Sequence, residues 1–304
     1  MTTKLVAQSN AKLWLAAIKP PMYSVAIMPI LLGSAIAYAE TGEFQGGIFW
    51  TFLSAAILIL AWLNLSNDVF DSETGIDVNK AHSVVNLTGN KSLVFWIGNL
   101  CLTAGIGEIL LIAWWQRDLT VLMIVAACCA LGYSYQGPPF RFGYQGFGEL
   151  ICFVCFGPLA IAAVYYSQTQ SYSAVVWGAS AILGASTGII LYCSHFHQVK
   201  DDLAAGKKSP IIRLGTDQGA RLLVPVTLSL FALTAGFVGL QLFSPWTLLI
   251  FLGLPLGYQL THHVGQHHDQ PDRVSNCKFI AVNLHFVTGV FLSLGFILPR
   301  LLAN

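Results

Sequence analysis

The chain has 304 residues, of which 55% are hydrophobic and only 10% charged, and its mean hydropathy is +0.67. Water-soluble domains rarely reach that balance, so the composition excludes an ordinary soluble fold and predicts an all-α, polytopic membrane protein. A net charge of +1 leaves no basic field to hold a nucleic acid.

About 20 apolar residues cross a bilayer as a helix. Nine such stretches follow one another, roughly 22–40, 47–66, 93–115, 119–135, 147–166, 174–195, 221–242, 245–263 and 278–299. The first is long and is followed at once by more spans, which predicts a retained helix rather than a cleaved leader. No linker or low-complexity tract interrupts the series, so residues 1–304 are expected to form one integral-membrane domain. The connections between spans fall into two alternating sets. One set, with the N-terminal segment, carries thirteen of the fifteen Lys and Arg residues, and the other carries Arg117 and Arg300 alone. Such a bias marks the cytoplasmic side, where the N-terminus and the connections after the second and sixth spans are therefore expected.

Those two connections are unusual for so apolar a chain, because they share seven of its fourteen acidic residues: Asp68, Asp71, Glu73, Asp77, Asp201, Asp202 and Asp217. In the first, "NLSNDVFDSETGID", Asn64, Asn67, Asp68 and Asp71 stand at i, i+3, i+4 and i+7. If the second helix continues past the hydrocarbon, the four oxygen-bearing side chains share a stripe about 100° wide. Glu73 then points to the other side, Gly75 offers a break, and Asp77 can fold back from the loop. Carboxylates this close repel one another unless cations sit between them. All-oxygen ligation suits Mg2+, which commonly shares its shell with substrate phosphates. The second connection, "SHFHQVKDDLAAGKKSPIIRLG", repeats the pattern with Gln198, Asp201 and Asp202 at i, i+3 and i+4, to which His195 adds. Gly206 ends that helix, and Lys207, Lys208 and Arg213 bring positive charge suited to a phosphate leaving group. Two facing stripes could hold two magnesium ions and one diphosphate.

Other polar features invite plainer readings. Cys152 and Cys155 form a CxxC within an apolar helix with no second pair beside it, so packing is expected rather than zinc or redox chemistry. His263 and His267 stand at i, i+4 and could share a metal, but neutral histidines of a polar loop near lipid head groups are the expected reading. Glu108 and Glu149 would matter in a secondary transporter, the main rival reading, since transporters place ionisable groups near mid-membrane. Transport gives no reason for two acidic clusters on one side, and a buried hydrogen bond is expected for each glutamate. Tyr133 and Tyr135 could face a cation with their rings or belong to the interfacial belt.

Nearly the whole chain resembles the UbiA-type membrane prenyltransferases. That family has nine transmembrane helices and two Asp-rich motifs, NDxxD with a further Asp after helix two and DxxxD after helix six. Here Asn67-Asp68-Val69-Phe70-Asp71 with Asp77 matches the first. The spacing from Asn64 to Asp77, together with "AIKPPMYSVAIMPILLGSAIAY", "GYSYQGPPFRFGYQGFGELICFVCFGPLA" and "DDLAAGKKSPIIRLG", is similar to the 1,4-dihydroxy-2-naphthoate branch. The wording around Asp71 resembles most the cyanobacterial and plastid members that attach phytyl in phylloquinone synthesis. One departure stands out: counting back from Gly206 makes Asp202 the second Asp of DxxxD and leaves Gln198 where the first would stand.

The resemblance implies Mg2+-dependent transfer of phytyl or another prenyl group from its diphosphate. The acceptor would be 1,4-dihydroxy-2-naphthoate or its oxidised form 2-carboxy-1,4-naphthoquinone, with loss of carbon dioxide. It further implies a multi-pass protein of a cell inner or thylakoid membrane. One metal site would comprise Asn64, Asn67, Asp68, Asp71 and Asp77, the other Gln198, Asp201 and Asp202. Asp68, Asp71, Asp77 and Asp202 would carry the catalysis. Arg141, Lys200 and Lys207 are candidates for the diphosphate or the acceptor carboxylate. Homogentisate and 4-hydroxybenzoate remain alternative acceptors.

Overall fold

A computed structural model describes residues 13–76 and 83–303. Among the described residues there is no β-strand. Among the same residues, seven helical stretches are long and apolar enough to cross a membrane: Leu13–Thr41, Gly46–Thr74, Lys91–Gln116, Gly148–Thr169, Ala174–Ala204, Thr216–Gly239 and Pro271–Ala303. We label the long helices α1 (Ser24–Thr41), α2 (Gly46–Thr74), α3 (Lys91–Gln116), α4 (Thr120–Gln136), α5 (Gly148–Thr169), α6 (Ala174–Ala204), α7 (Thr216–Gly239), α8 (Leu254–His267) and α9 (Cys277–Ala303).

The predicted count of nine full spans is therefore not met in full. The fourth, α4, has only 17 residues. The eighth is composite: a 3-10 segment, Pro245–Gly253, leads into the 14-residue α8, whose sequence LPLGYQLTHHVGQH turns polar after two turns. A proline at the start of each piece removes a backbone donor, which favours a break there over one continuous helix. In the opposite sense, α2 and α6 outrun their predicted ends, reaching Thr74 and Ala204. Both polar motifs are thus helical. Gly75, at φ 78°, closes α2 in the left-handed region that glycine enters without strain.

Two apolar clusters organise the bundle. The larger joins α1, α6, α7 and α9 through residues such as Leu32, Leu183, Leu230 and Leu284. The smaller joins α2, α3 and α4 with Phe52, Ala55, Ile109 and Val121. Small residues let helices approach where lipid supplies no hydrophobic drive: a Cβ added to Gly157 of α5 would lie 2.9 Å from the Cα of Gly184 on α6. His285 on α9 reaches Ser186 Oγ on α6 at 2.8 Å and the Ser24 carbonyl on α1 at 3.4 Å, which ties three helices by one buried ring. The outer faces carry Trp96, Leu100 and Trp114, all exposed, as lipid contact requires. The Glu108 carboxylate accepts a hydrogen bond from Ser54 Oγ at 2.9 Å, a contact of the structural kind predicted for it.

Candidate active site

Between the two clusters lies a cavity of about 1130 Å³ whose lining includes residues of both polar motifs. From α2 come Asn64, Asn67 and Asp71, and from α6 and its exit Gln198, Asp201, Asp202 and Lys207. Apolar side chains, among them Ile30, Phe52, Leu60, Val125, Phe156 and Ile190, line much of the remainder. Tyr133 and Tyr135 also face it.

Asp71 is the best-held carboxylate of the first motif. It accepts from Asn67 Nδ2 at 3.0 Å, from Gln136 Nε2 at 3.1 Å and from the Tyr144 hydroxyl at 3.0 Å. Burial and the Asp71 charge beside it push the Tyr144 phenol above its ordinary range, so it stays a proton donor to the carboxylate. The Asn64 amide lines the cavity and its Nδ2 is buried without a hydrogen-bond partner. A half-turn of that amide would present its oxygen there instead.

Asp68 behaves differently. Its carboxylate is fully buried, accepts the backbone N–H of Val84 at 2.8 Å and lies 3.6 Å from Lys19 Nζ. It is not among the residues lining the cavity, whereas Lys19 is. The stripe drawn from spacing thus splits: three members face the cavity and the fourth anchors the chain that follows the motif. Asp77 lies outside the described residues.

On α6, Asp202 is 1% exposed. Its Oδ2 is 3.0 Å from His195 Nδ1 and its Oδ1 is 3.5 Å from Lys207 Nζ. The Lys207 ammonium also sits 5.9 Å above the centre of the Tyr144 ring. Lys200 is exposed and absent from the cavity wall, and Arg141 instead bonds Glu73 at 3.3 Å, next to the 2.6 Å pair of Lys91 with Glu73. Of the three basic candidates, only Lys207 reaches the cavity. Lys19 and Lys278 reach it too, although the sequence pattern does not single them out. The signal for Lys19 was the "KPP" run, whose prolines end the preceding helix at Lys19, which stands at φ 52°.

Among the described residues, no three His, Cys, Asp or Glu side chains are grouped closely enough to hold a metal ion alone. The donor set on the cavity wall nevertheless fits a hard cation. It offers amide and carboxylate oxygens on two facing helices, with Asp202 Oδ1 buried and lacking a hydrogen-bond donor. Neither CxxC thiol is in a disulfide, and Cys155 Sγ instead meets the Cys128 carbonyl at 3.9 Å. The His263 and His267 rings touch at 5.2 Å between centres.

Residues 26–285 match the model of the UbiA prenyltransferase family. The chain belongs to that family. With seven spans of crossing length, this UbiA-family protein is an integral, multi-pass membrane protein. It is 60% identical over 292 residues to a Synechocystis sp. 2-carboxy-1,4-naphthoquinone phytyltransferase, covering 95% of this chain and 94% of that one. Over 300 residues it is 42% identical to the chloroplastic protein of the same name from Arabidopsis thaliana, covering 96% of this chain and 78% of that one. Its fold is similar to that of a UbiA homologue from Archaeoglobus fulgidus bound to DMAPP and Mg2+. The TM-score is 0.61 and the identity 16%, across 92% of this chain and 99% of the other.

Proposed function

We propose that the protein is a Mg2+-dependent aromatic prenyltransferase. It moves a phytyl or similar prenyl group from its diphosphate to 1,4-dihydroxy-2-naphthoate or 2-carboxy-1,4-naphthoquinone, with loss of carbon dioxide. One observation carries this reading: two oxygen-rich helix faces, on α2 and α6, meet over a single cavity whose remaining wall is largely apolar. A diphosphate suits the first part and a long hydrocarbon the second. The names of the two relatives support the choice of phytyl and of the naphthoquinone acceptor.

Asn64, Asn67, Asp71 and Asp77 would hold magnesium on the α2 side, and Gln198, Asp201 and Asp202 on the α6 side. Bound there, the metal neutralises charge on the diphosphate. Lys207, Lys19 and Lys278, rather than Arg141 or Lys200, supply further positive charge at the leaving group. Asp68 acts through Lys19, which it holds at the cavity edge. The allylic C–O bond breaks with both electrons going to the diphosphate, and the aromatic ring carbon attacks the allyl cation. Loss of carbon dioxide from that carbon restores the ring without a strong protein base. The apolar wall excludes water, which would otherwise capture the cation as an alcohol. The whole chain acts as one domain, with its N-terminus and both motifs on the cytoplasmic side, as the Lys and Arg distribution supports.

The test is incubation of the purified protein with phytyl diphosphate and 1,4-dihydroxy-2-naphthoate, with and without EDTA, followed by mass spectrometry. A prenylated, decarboxylated product that disappears with EDTA is expected. A folded protein that yields no product with this or any other aromatic acceptor sinks the reading.

A further inference from the structure

Behind the second motif lies a buried arrangement that the transfer chemistry does not by itself require. The His195 ring, 2% exposed, faces a carboxylate at each nitrogen: Asp202 Oδ2 lies 3.0 Å from Nδ1, and Glu149 Oε1, from α5, lies 3.2 Å from Nε2. Neither Glu149 nor His195 lines the cavity, whereas Asp202 and Lys207 do. With Oδ2 taken by the ring, Asp202 has one oxygen left. That atom, Oδ1, accepts no hydrogen bond and points toward the Lys207 ammonium 3.5 Å away. The backbone fixes the same pair, since Lys207 N–H donates to the Asp202 carbonyl at 2.8 Å.

An aspartate has two oxygens and free rotation, so in a polar cavity it could turn either to a bound cation or to the nearest lysine. Contact from behind removes that freedom. We infer that His195, backed by Glu149, is a positioning residue that fixes Asp202 with one oxygen beside Lys207, so that this oxygen and the ammonium meet an incoming metal-bound diphosphate as a preset pair, the oxygen facing the cation and the ammonium the phosphate. The inference rests on the proposed reaction for the identity of its ligand, but it concerns binding and can be tested without turnover. A residue holding a ligand group from behind is worth about ten- to a hundredfold in affinity at comparable sites.

Calorimetric titration of the purified full chain with pyrophosphate and Mg2+ tests it, with the melting temperature in detergent measured alongside. H195L is expected to bind about tenfold more weakly. H195N keeps a donor on the Asp202 side and is expected to stay within about threefold of wild type. In a K207A background, H195L should cause no additional loss, because the two residues act as one unit. H195L binding as wild type does, or adding its full effect to that of K207A, overturns the inference, and so does a wild-type protein that binds no pyrophosphate. Should H195L fail to fold, E149Q carries the same test: a loss absent in the K207A background supports the brace, and wild-type affinity overturns it. The expected binding pattern without prenyl transfer would sink the reaction and leave the brace. Transfer without the pattern would sink the brace alone.

Discussion

The two ends of the bundle are built from similar polar residues and use them in opposite ways. At the end away from the motifs, several polar groups bond one another across helices, although Gln116 Oε1 there is buried without a hydrogen bond. Gln45 and Gln168 exchange three hydrogen bonds of 2.8–3.3 Å between the α1–α2 connection and α5. Glu40 receives the hydroxyls of Tyr165 and Ser173, and the Tyr166 hydroxyl meets Asp118 at 2.7 Å. At the motif end, by contrast, polar groups turn toward a cavity, and some are buried without a hydrogen bond, such as Asn64 Nδ2 and Asp202 Oδ1, the latter with only the Lys207 ammonium 3.5 Å away. A buried polar atom left unsatisfied costs about 1–3 kcal/mol. Satisfied polarity therefore fastens helices, while unsatisfied polarity around a cavity awaits a ligand.

This contrast can be broken at either end. The largest effect is expected from D71N, which should lower kcat/KM for prenyl transfer by about a hundredfold or more, the scale seen when a preorganised electrostatic group is removed. Transfer at the wild-type rate would move the chemistry out of this cavity. Next comes N64L, for which an affinity loss of about tenfold for the prenyl diphosphate, read as KM, should accompany an unchanged or higher melting temperature. A simultaneous fall in melting temperature would make Asn64 a fastener like Gln168. At the other end, Q168A should destabilise the fold by about 1–3 kcal/mol, seen as a lower melting temperature, with kcat/KM unaltered at temperatures where the protein stays folded. The smallest effect is expected from R141Q, since exposed ion pairs such as Arg141 with Glu73 contribute less than about 1 kcal/mol. A marked rise in KM for the diphosphate donor would instead put Arg141 at the substrate.

What the sequence revealed and what it hid follow from the range over which each feature acts. Hydropathy located every long helix, and helical spacing put Asn64, Asn67 and Asp71 on one face, because both are local properties. Spacing could not foresee that Asp68, at the edge of the same stripe, turns to Val84 N–H and Lys19, since those partners arrive with other parts of the chain. Of the three donors to Asp71, Asn67 belongs to the local stripe, but Gln136 and Tyr144 lie 65 and 73 residues away, and no local pattern marks them. For Glu149, near the start of the fifth span, the sequence led to the expectation of a buried hydrogen bond but named no partner. Its partner, His195, sits a helix away, and only packing of α5 on α6 joins them. Length alone misjudged the eighth span, where apolar composition continues but α-helical geometry does not, whereas the fourth, expected at 119–135, is met by α4 at Thr120–Gln136.

The short α4 bears on the surrounding lipid as well. At about 1.5 Å per residue, 17 residues extend about 26 Å, whereas the hydrocarbon layer of a typical bilayer is about 30 Å thick. Val125, Cys128, Gly132, Tyr133 and Tyr135 of this same helix form part of the cavity wall. A span this short is met by thinning of the bilayer, by flanking side chains that snorkel or by association with another helix, and hydrophobic mismatch of this kind costs a fraction of a kcal/mol per ångström. Acyl-chain length thus becomes a variable of the enzyme's surroundings: longer lipids raise the hydrocarbon edge against the side of the cavity, and shorter ones lower it.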